Sequence, residues 1–194
     1  MKHLLTIVFI GLVFGGYGQL TDKRDGKVYE TVIIGEQEWM AENLAYKPDS
    51  GEYLAYDNDT SNVVKYGYLY DWETAKNVCP TSWHLPSKSE WNILLDYLGG
   101  KEVAGIKMRS TSSWYLDSNG TNESGFNALP GGYGAKSRRA AKPTVYIGIY
   151  SSWWTSSEAS IIDAIHFLTG YYSGRVTEYY NNKSMKLYLR CIKD

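Results

Sequence analysis

The chain has 194 residues, with 20 basic and 21 acidic side chains and a formal net charge of −1. Nothing in that balance implies nucleic acid, and no nucleic-acid partner is expected. The composition stands out in its 18 Tyr, 7 Trp and 19 Gly, a mixture that suits binding surfaces as well as cores.

Residues 1–18 read as a signal peptide. Lys2 and His3 form a basic head, and the apolar run from Leu4 to Phe14 is too short to span a bilayer comfortably. Small residues, Gly15, Gly16 and Gly18, then precede a cut ahead of Gln19. No cysteine lies near that cut, which excludes a bacterial lipoprotein anchor. The mature chain, residues 19–194, is the size of one domain and has no second apolar stretch of membrane length. Its expected place is secreted, periplasmic or at the cell surface.

The stretch VYETVII at 28–34 alternates like a strand, Gly35-Glu36 turns the chain, and QEWMAENL follows, so a hairpin is predicted. Residues 48–62 are rich in turn formers and read as a loop. Within it, Asp57, Asp59 and Ser61 take alternate positions, as in the first half of an EF-hand loop. Asn62 and Tyr68 stand where that loop needs Gly and Glu, so a complete EF-hand is excluded. An irregular calcium site and a plain Asx-rich turn remain as alternatives, and no other cofactor is expected.

Asp71 is the expected N-cap of a short helix with Trp72, Ala75 and Val78 on one face and Pro80 as its stop. Next, Ser87 and Glu90 form the S-x-x-E pattern of a capping box. Trp91, Leu94, Leu95 and Leu98 follow as one apolar stripe that ends at Gly99-Gly100. Trp83 and Leu85 in the connector should plug the core. His84 between them is expected to be satisfied by backbone groups rather than to act in catalysis.

From Gly100 to about residue 160, glycine-rich, Ser/Asn-rich and aromatic segments show little periodicity. Strand-like runs then return: YIGIYSSWWTSSE, AIHFLTGYY, RVTEYY and MKLYLRCIKD, with Asn181-Asn182 as a turn before the last. Strands, two helices, long loops and more strands predict an α+β domain. Cys79 and Cys191 are the whole cysteine complement. An even count in an exported chain favours a disulfide over two buried thiols. Closing a loop of that length is worth about 4–5 kcal/mol in the chain-entropy model.

Four motifs occur in order: DGKVYETVIIGEQEWMAENL at 25–44, YGYLYDWETAKNVCPTSWHLPSKSEWNIL at 66–94, GFNALPGGY at 125–133 and WWTSSE at 153–158. Together they resemble the Fibrobacter succinogenes major paralogous domain (FISUMP) over nearly the whole mature chain. That family is similar to C-type-lectin-like domains and to formylglycine-generating-enzyme-like proteins. The resemblance implies a C-type-lectin-like fold with two helices, a small antiparallel sheet and long irregular loops, in secreted or surface proteins. Two features do not transfer. Cys79 and Cys191 are not placed like the copper-binding pair of formylglycine-generating enzymes. The Glu-Pro-Asn, Gln-Pro-Asp and Trp-Asn-Asp elements of calcium-dependent sugar binding are absent.

No G-x-S-x-G, H-E-x-x-H, C-x-x-C or P-loop occurs, and linear spacing pairs none of Glu158, Asp163 and Glu178, so no catalytic residue is assigned. Lys136, Arg138, Arg139 and Lys142 form a basic run that could meet an anionic glycan or a lipid head group, or be a solvated loop. Tyr146, Tyr150, Trp153, Trp154, Tyr171, Tyr172, Tyr179 and Tyr180 alternate with Ser, Gly, Asn and Thr, a paratope-like composition. From these, Trp153, Trp154, Tyr171, Tyr172, Tyr179 and Tyr180 are the expected ligand contacts, with one tryptophan facing inward. The leading expectation is an exported, non-catalytic recognition module for a glycan or surface protein. The alternatives are an enzyme related to the formylglycine-generating group and a structural component of a bacterial cell-surface assembly.

Overall fold

The computed structural model describes residues 16–134 and 144–194. The expected leader falls mostly outside the described residues, but its last two positions, Tyr17 and Gly18, open the first strand. β1 (Tyr17–Thr21), β2 (Val28–Ile34) and β3 (Gln37–Met40) form an antiparallel meander, as the alternation of 28–34 predicts. A short pair, β4 (Tyr53–Leu54) and β5 (Leu69–Tyr70), encloses two 3-10 turns and the helix α1 (Val63–Tyr66). Then come α2 (Trp72–Ala75), β6 (Trp83–His84), α3 (Lys88–Tyr97) and α4 (Ala104–Met108). β7 (Tyr133–Gly134) pairs with β8 (Thr144–Val145). β9 (Tyr150–Glu158), β10 (Asp163–Gly170) and β11 (Val176–Asn182) make a second meander, and β12 (Ile192–Lys193) follows.

The two main sheets run β1-β2-β3-β12-β6 and β11-β10-β9. Short helices beside separate antiparallel sheets make the domain α+β. No helix among the described residues is long and apolar enough to cross a membrane.

Both helix caps read from the sequence are present. Asp71 accepts from the Thr74 amide at 2.9 Å and starts α2. Ser87 Oγ accepts from the Glu90 amide at 3.2 Å while Glu90 Oε2 accepts from the Ser87 amide at 2.6 Å. This reciprocal box relieves two amides that α3 leaves without an internal partner. The stripe behind it goes inward: Trp91, Leu94, Leu95 and Leu98 are all buried. Trp91 stacks on Phe167 of β10 at 5.0 Å and 22° and also meets Trp39, Phe126 and Trp153. Removing one such tryptophan would cost about 3–5 kcal/mol in lost burial and cavity formation.

The structure differs from the reading of the sequence in several places: the described residues hold four helices rather than two, α1 and α4 being the additions, and several antiparallel sheets rather than one small one. The region after Gly100 holds α4, which has no side-chain cap bond to announce it. Asn181 and Asn182 are the last residues of β11, and the turn falls on Lys183-Ser184, where Asn182 Oδ1 accepts from the Ser184 amide at 3.1 Å.

Residues 187–191 then thread the middle of the molecule. Leu187, Leu189 and Cys191 join one apolar cluster and Tyr188 the other, the two-residue alternation of extended chain. Arg190 is buried in the same segment. It donates to Asn43 Oδ1, Phe126 O and Asn127 O and lies 4.1 Å over the Phe126 ring. Burial pulls its pKa down to about 9. Cys79 and Cys191 form the expected disulfide, with Cα atoms 5.9 Å apart and 112 positions of sequence between them.

Candidate functional site

The sheet β11-β10-β9 buries one face against α3. On the other face, pairing brings together alternate residues of three strands: Trp154 opposite His166, Ser152 opposite Leu168, Tyr150 opposite Gly170, and His166 opposite Tyr179. Trp154 is sealed beneath Tyr70, Leu187 and Leu189, and its indole donates to Tyr70 O at 2.9 Å. Beside it the face opens into a cavity of about 320 Å³. Tyr133, Tyr146, Tyr150, Tyr172 and Tyr179 wall this cavity. Leu168, Met185 and Leu187 add apolar surface, and Ser152, His166 and Asn181 lie in its lining.

Glycines and one strained residue hold the tyrosines in place. Gly132 sits at φ +70, and a side chain there would come within 2.2 Å of Val145 O. This close approach lets β7 and β8 carry Tyr133 and Tyr146 to the same wall. Tyr146 itself has φ +68, a costly conformation for a bulky residue. At the end of β10, a Cβ on Gly170 would lie 2.9 Å from ring carbons of both Tyr150 and Tyr172. The missing side chain is what lets the two rings converge there. Arg109 Nη1 donates to Gly170 O at 2.6 Å and fixes that strand end.

The polar lining is self-satisfied. His166 Nδ1 lies 2.7 Å from Ser152 Oγ, and His166 Nε2 lies 2.8 Å from Asn181 Nδ2. Asn181 donates to Nε2, Nδ1–H donates to Ser152 Oγ, and Ser152 donates on to Phe167 O. The Tyr179 ring stacks on the imidazole at 5.8 Å. Burial pulls the His166 pKa down to about 4, so the ring is neutral at pH 7. In this tautomer the imidazole donates its Nδ1–H in a hydrogen bond to Ser152 Oγ and is not placed as a base toward that serine. Burial pushes Tyr133 up to about 12, and burial with the adjacent Tyr172 raises Tyr150. Among the described lining residues there is no carboxylate, lysine or arginine.

A family model described as the Fibrobacter succinogenes major domain matches residues 32–193. The chain belongs to that family. No curated protein and no solved structure matches it. In this Fibrobacter succinogenes major domain the matched span contains every residue of the pocket.

The family domain brings together some of the expected contacts and disperses others. Tyr172 and Tyr179 line the pocket. Tyr171 is half-buried beside it, in contact with Tyr172 and Tyr115. Tyr180 follows Tyr179 in β11, so it points to the opposite face of the sheet and is 71% exposed. Neither Trp153 nor Trp154 faces out; both are fully buried. Both faces of β9 are covered at that point, by Trp91 and Phe126 on one side and by Tyr70 and Leu187 on the other. Tyr133, Ser152, His166 and Asn181 were not among the expected contacts. The alternation of His166 with Leu168 in AIHFLTG was the signal for the histidine. Lys136, Arg138, Arg139 and Lys142 lie outside the described residues.

His84 also departs from expectation. Its partners are side chains rather than backbone: Nδ1 lies 2.7 Å from Asp194 Oδ1 and Nε2 2.8 Å from Glu90 Oε1. Glu158 is paired with Lys183, and Glu178 with Lys88 and Lys101. In the 57–62 run, Asp59 accepts from the Ser61 amide at 2.9 Å, an Asx turn, and Asp57 accepts from Thr144 Oγ1 at 2.9 Å. Among the described residues no three His, Cys, Asp or Glu side chains gather as a metal site.

Proposed function

We propose that the domain is an exported, non-catalytic recognition module of C-type-lectin-like build that holds a neutral sugar residue of a glycan in the tyrosine-walled pocket. The observation that carries this reading is a concave site walled by five tyrosines with no charged side chain among its described lining. Tyrosine faces match the C–H face of a sugar ring, and their hydroxyl tips match its hydroxyls. The cavity is of small-ligand size rather than a flat protein-docking face. The disulfide is suited to an oxidising compartment and so supports export.

The test is calorimetric titration of residues 19–194 with a panel of neutral glycans. Tyr150→Ala and Tyr172→Ala should each lose about 2 kcal/mol or more of binding, as residues at the centre of a site do. His84→Ala should bind as the unsubstituted protein does. If the tyrosine variants bind normally and His84→Ala alone abolishes binding or turnover, the site lies by α3 and this reading is wrong.

A further inference from the structure

The pocket does not end at Tyr172. Tyr172 meets Tyr150 at 6.0 Å and 85°, and Tyr171 at 5.6 Å and 88°. Tyr171 in turn meets Tyr115 at 5.3 Å and 84°. A file of four tyrosines therefore runs from the pocket wall out over the surface, each ring nearly perpendicular to the next. Three separate segments supply it, and backbone bonds tie them together. The Tyr115 amide donates to Gly148 O at 2.8 Å and the Tyr171 amide to Ile149 O at 3.0 Å. The outer members are open to solvent: Tyr172 is 60% exposed and Tyr115 51%, with Leu116 beside it at 72%. Leu116 has φ +51, in the left-handed region that is costly for a bulky residue.

We infer that the ligand is an extended neutral oligosaccharide, with one ring in the pocket and successive rings laid along Tyr172, Tyr171 and Tyr115. This rests on the glycan reading above and goes further in assigning outer subsites. A lone pocket would suit a single sugar. A continuous file of uncharged aromatic rings about one sugar ring apart offers each further unit a surface to lie on, and ring contacts tolerate variation in hydroxyl pattern. Perpendicular neighbours present a face and then an edge, so the chain meets apolar faces with phenol hydroxyls between them.

The experiment is a calorimetric length series, using gluco-, manno-, galacto- and xylo-oligosaccharides of one to six units. In a series that binds, affinity should rise about tenfold or more up to about three or four units and then level off. Tyr115→Ala and Tyr171→Ala should remove most of that gain and leave the shortest bound sugar within about twofold. Tyr150→Ala should weaken every length. Tyr171→Leu keeps apolar bulk without the ring and should behave like Tyr171→Ala, which separates ring contact from folding damage. If affinity is independent of length, or if the Tyr115 and Tyr171 variants keep the full gain while Tyr150→Ala still fails to bind, the outer subsites are refuted and the pocket stands. If none of these sugars binds, the glycan reading falls and the extension with it.

Discussion

Glu90→Gln tests whether the start of α3 and His84 form one electrostatic unit. Glu90 Oε2 accepts from the Ser87 amide at 2.6 Å and from Ser87 Oγ at 2.8 Å, while Oε1 faces His84 Nε2 at 2.8 Å. Burial pulls His84 down, but its hydrogen bonds to Asp194 and Glu90 outweigh that and raise it above the ordinary 6.5. Burial pushes Glu90 up, but bonds from Ser87 and His84 hold it below 4.5. The amide keeps the shape of the side chain and can still accept from the Ser87 amide. It loses the charged oxygen opposite His84 and the charge assistance that strengthens both bonds from Ser87. The weakened cap should cost about 0.5–1 kcal/mol. The ion pair is 40% and 27% exposed, so screening limits it to about 0.5–1 kcal/mol. The sum near pH 5.5 is about 1–2 kcal/mol, and each kcal/mol lowers Tm by about 2–4 °C in a chain of this size. A raised histidine stabilises fully below its unfolded pKa and loses that contribution as pH rises through its folded value. At pH 9 only the cap deficit should remain. Urea denaturation of both proteins at pH 5.5 and pH 9 measures the two parts. An equal loss at both pH values would show that His84 carries no linked charge, and no loss at either would refute the cap.

Three further outcomes are expected. Replacing both cysteines (Cys79→Ser with Cys191→Ser) should cost about 4–5 kcal/mol by the loop-closure estimate, and unfolded, non-reduced protein should label no thiols; two labelled thiols would contradict the bridge. His166 titrates near 4 when folded against 6.5 when unfolded, so native stability should fall as pH drops through that window, by about 3 kcal/mol in all. His166→Gln should flatten this acid limb in urea midpoints at pH 4.5 and 7, and an unchanged slope would mean that the ring is not held neutral. Gly170→Ala forces apart the Tyr150 and Tyr172 rings and should destabilise by about 1 kcal/mol, the low end for overpacking because Tyr172 can swing outward; an unaltered thermal midpoint with both rings in place would refute the crowding.

The parts of the fold legible in the sequence are those whose cause is local. The α3 cap needs only Ser87 and Glu90, three apart, and the stripe behind them needs only helical spacing. The first hairpin needs only an alternating run and Gly35. What could not be read depends on distant chain. Alternation alone put one of Trp153 and Trp154 outside, because it assumes a sheet with one wet face, and the cover over Trp154 comes from residues 187–189. His84 found a partner 110 positions away in Asp194. The composition pointed to recognition by aromatics, yet Tyr133 reaches the pocket only through β7 and its partner β8. α4 escaped because five residues carry too little periodicity to register.

The place of β12 bears on how the protein is made. Ile192 pairs with Trp39 on one side and with His84 on the other, so the last strand fills the gap between β3 and β6. Met40 and Leu44 likewise send their amides to Cys191 and Leu189. Each of these contacts joins residues more than 100 positions apart. Until residues 187–193 join it, the sheet is incomplete, with the edges of β3 and β6 unpaired. Loop-closure entropy must be overcome before those contacts form, which makes the topology slow and leaves sticky edges exposed meanwhile. Closure of this sheet from the N-terminal side waits on residues 187–193, and the bridge between Cys79 and Cys191 ties that late-joining segment to the earlier part of the chain.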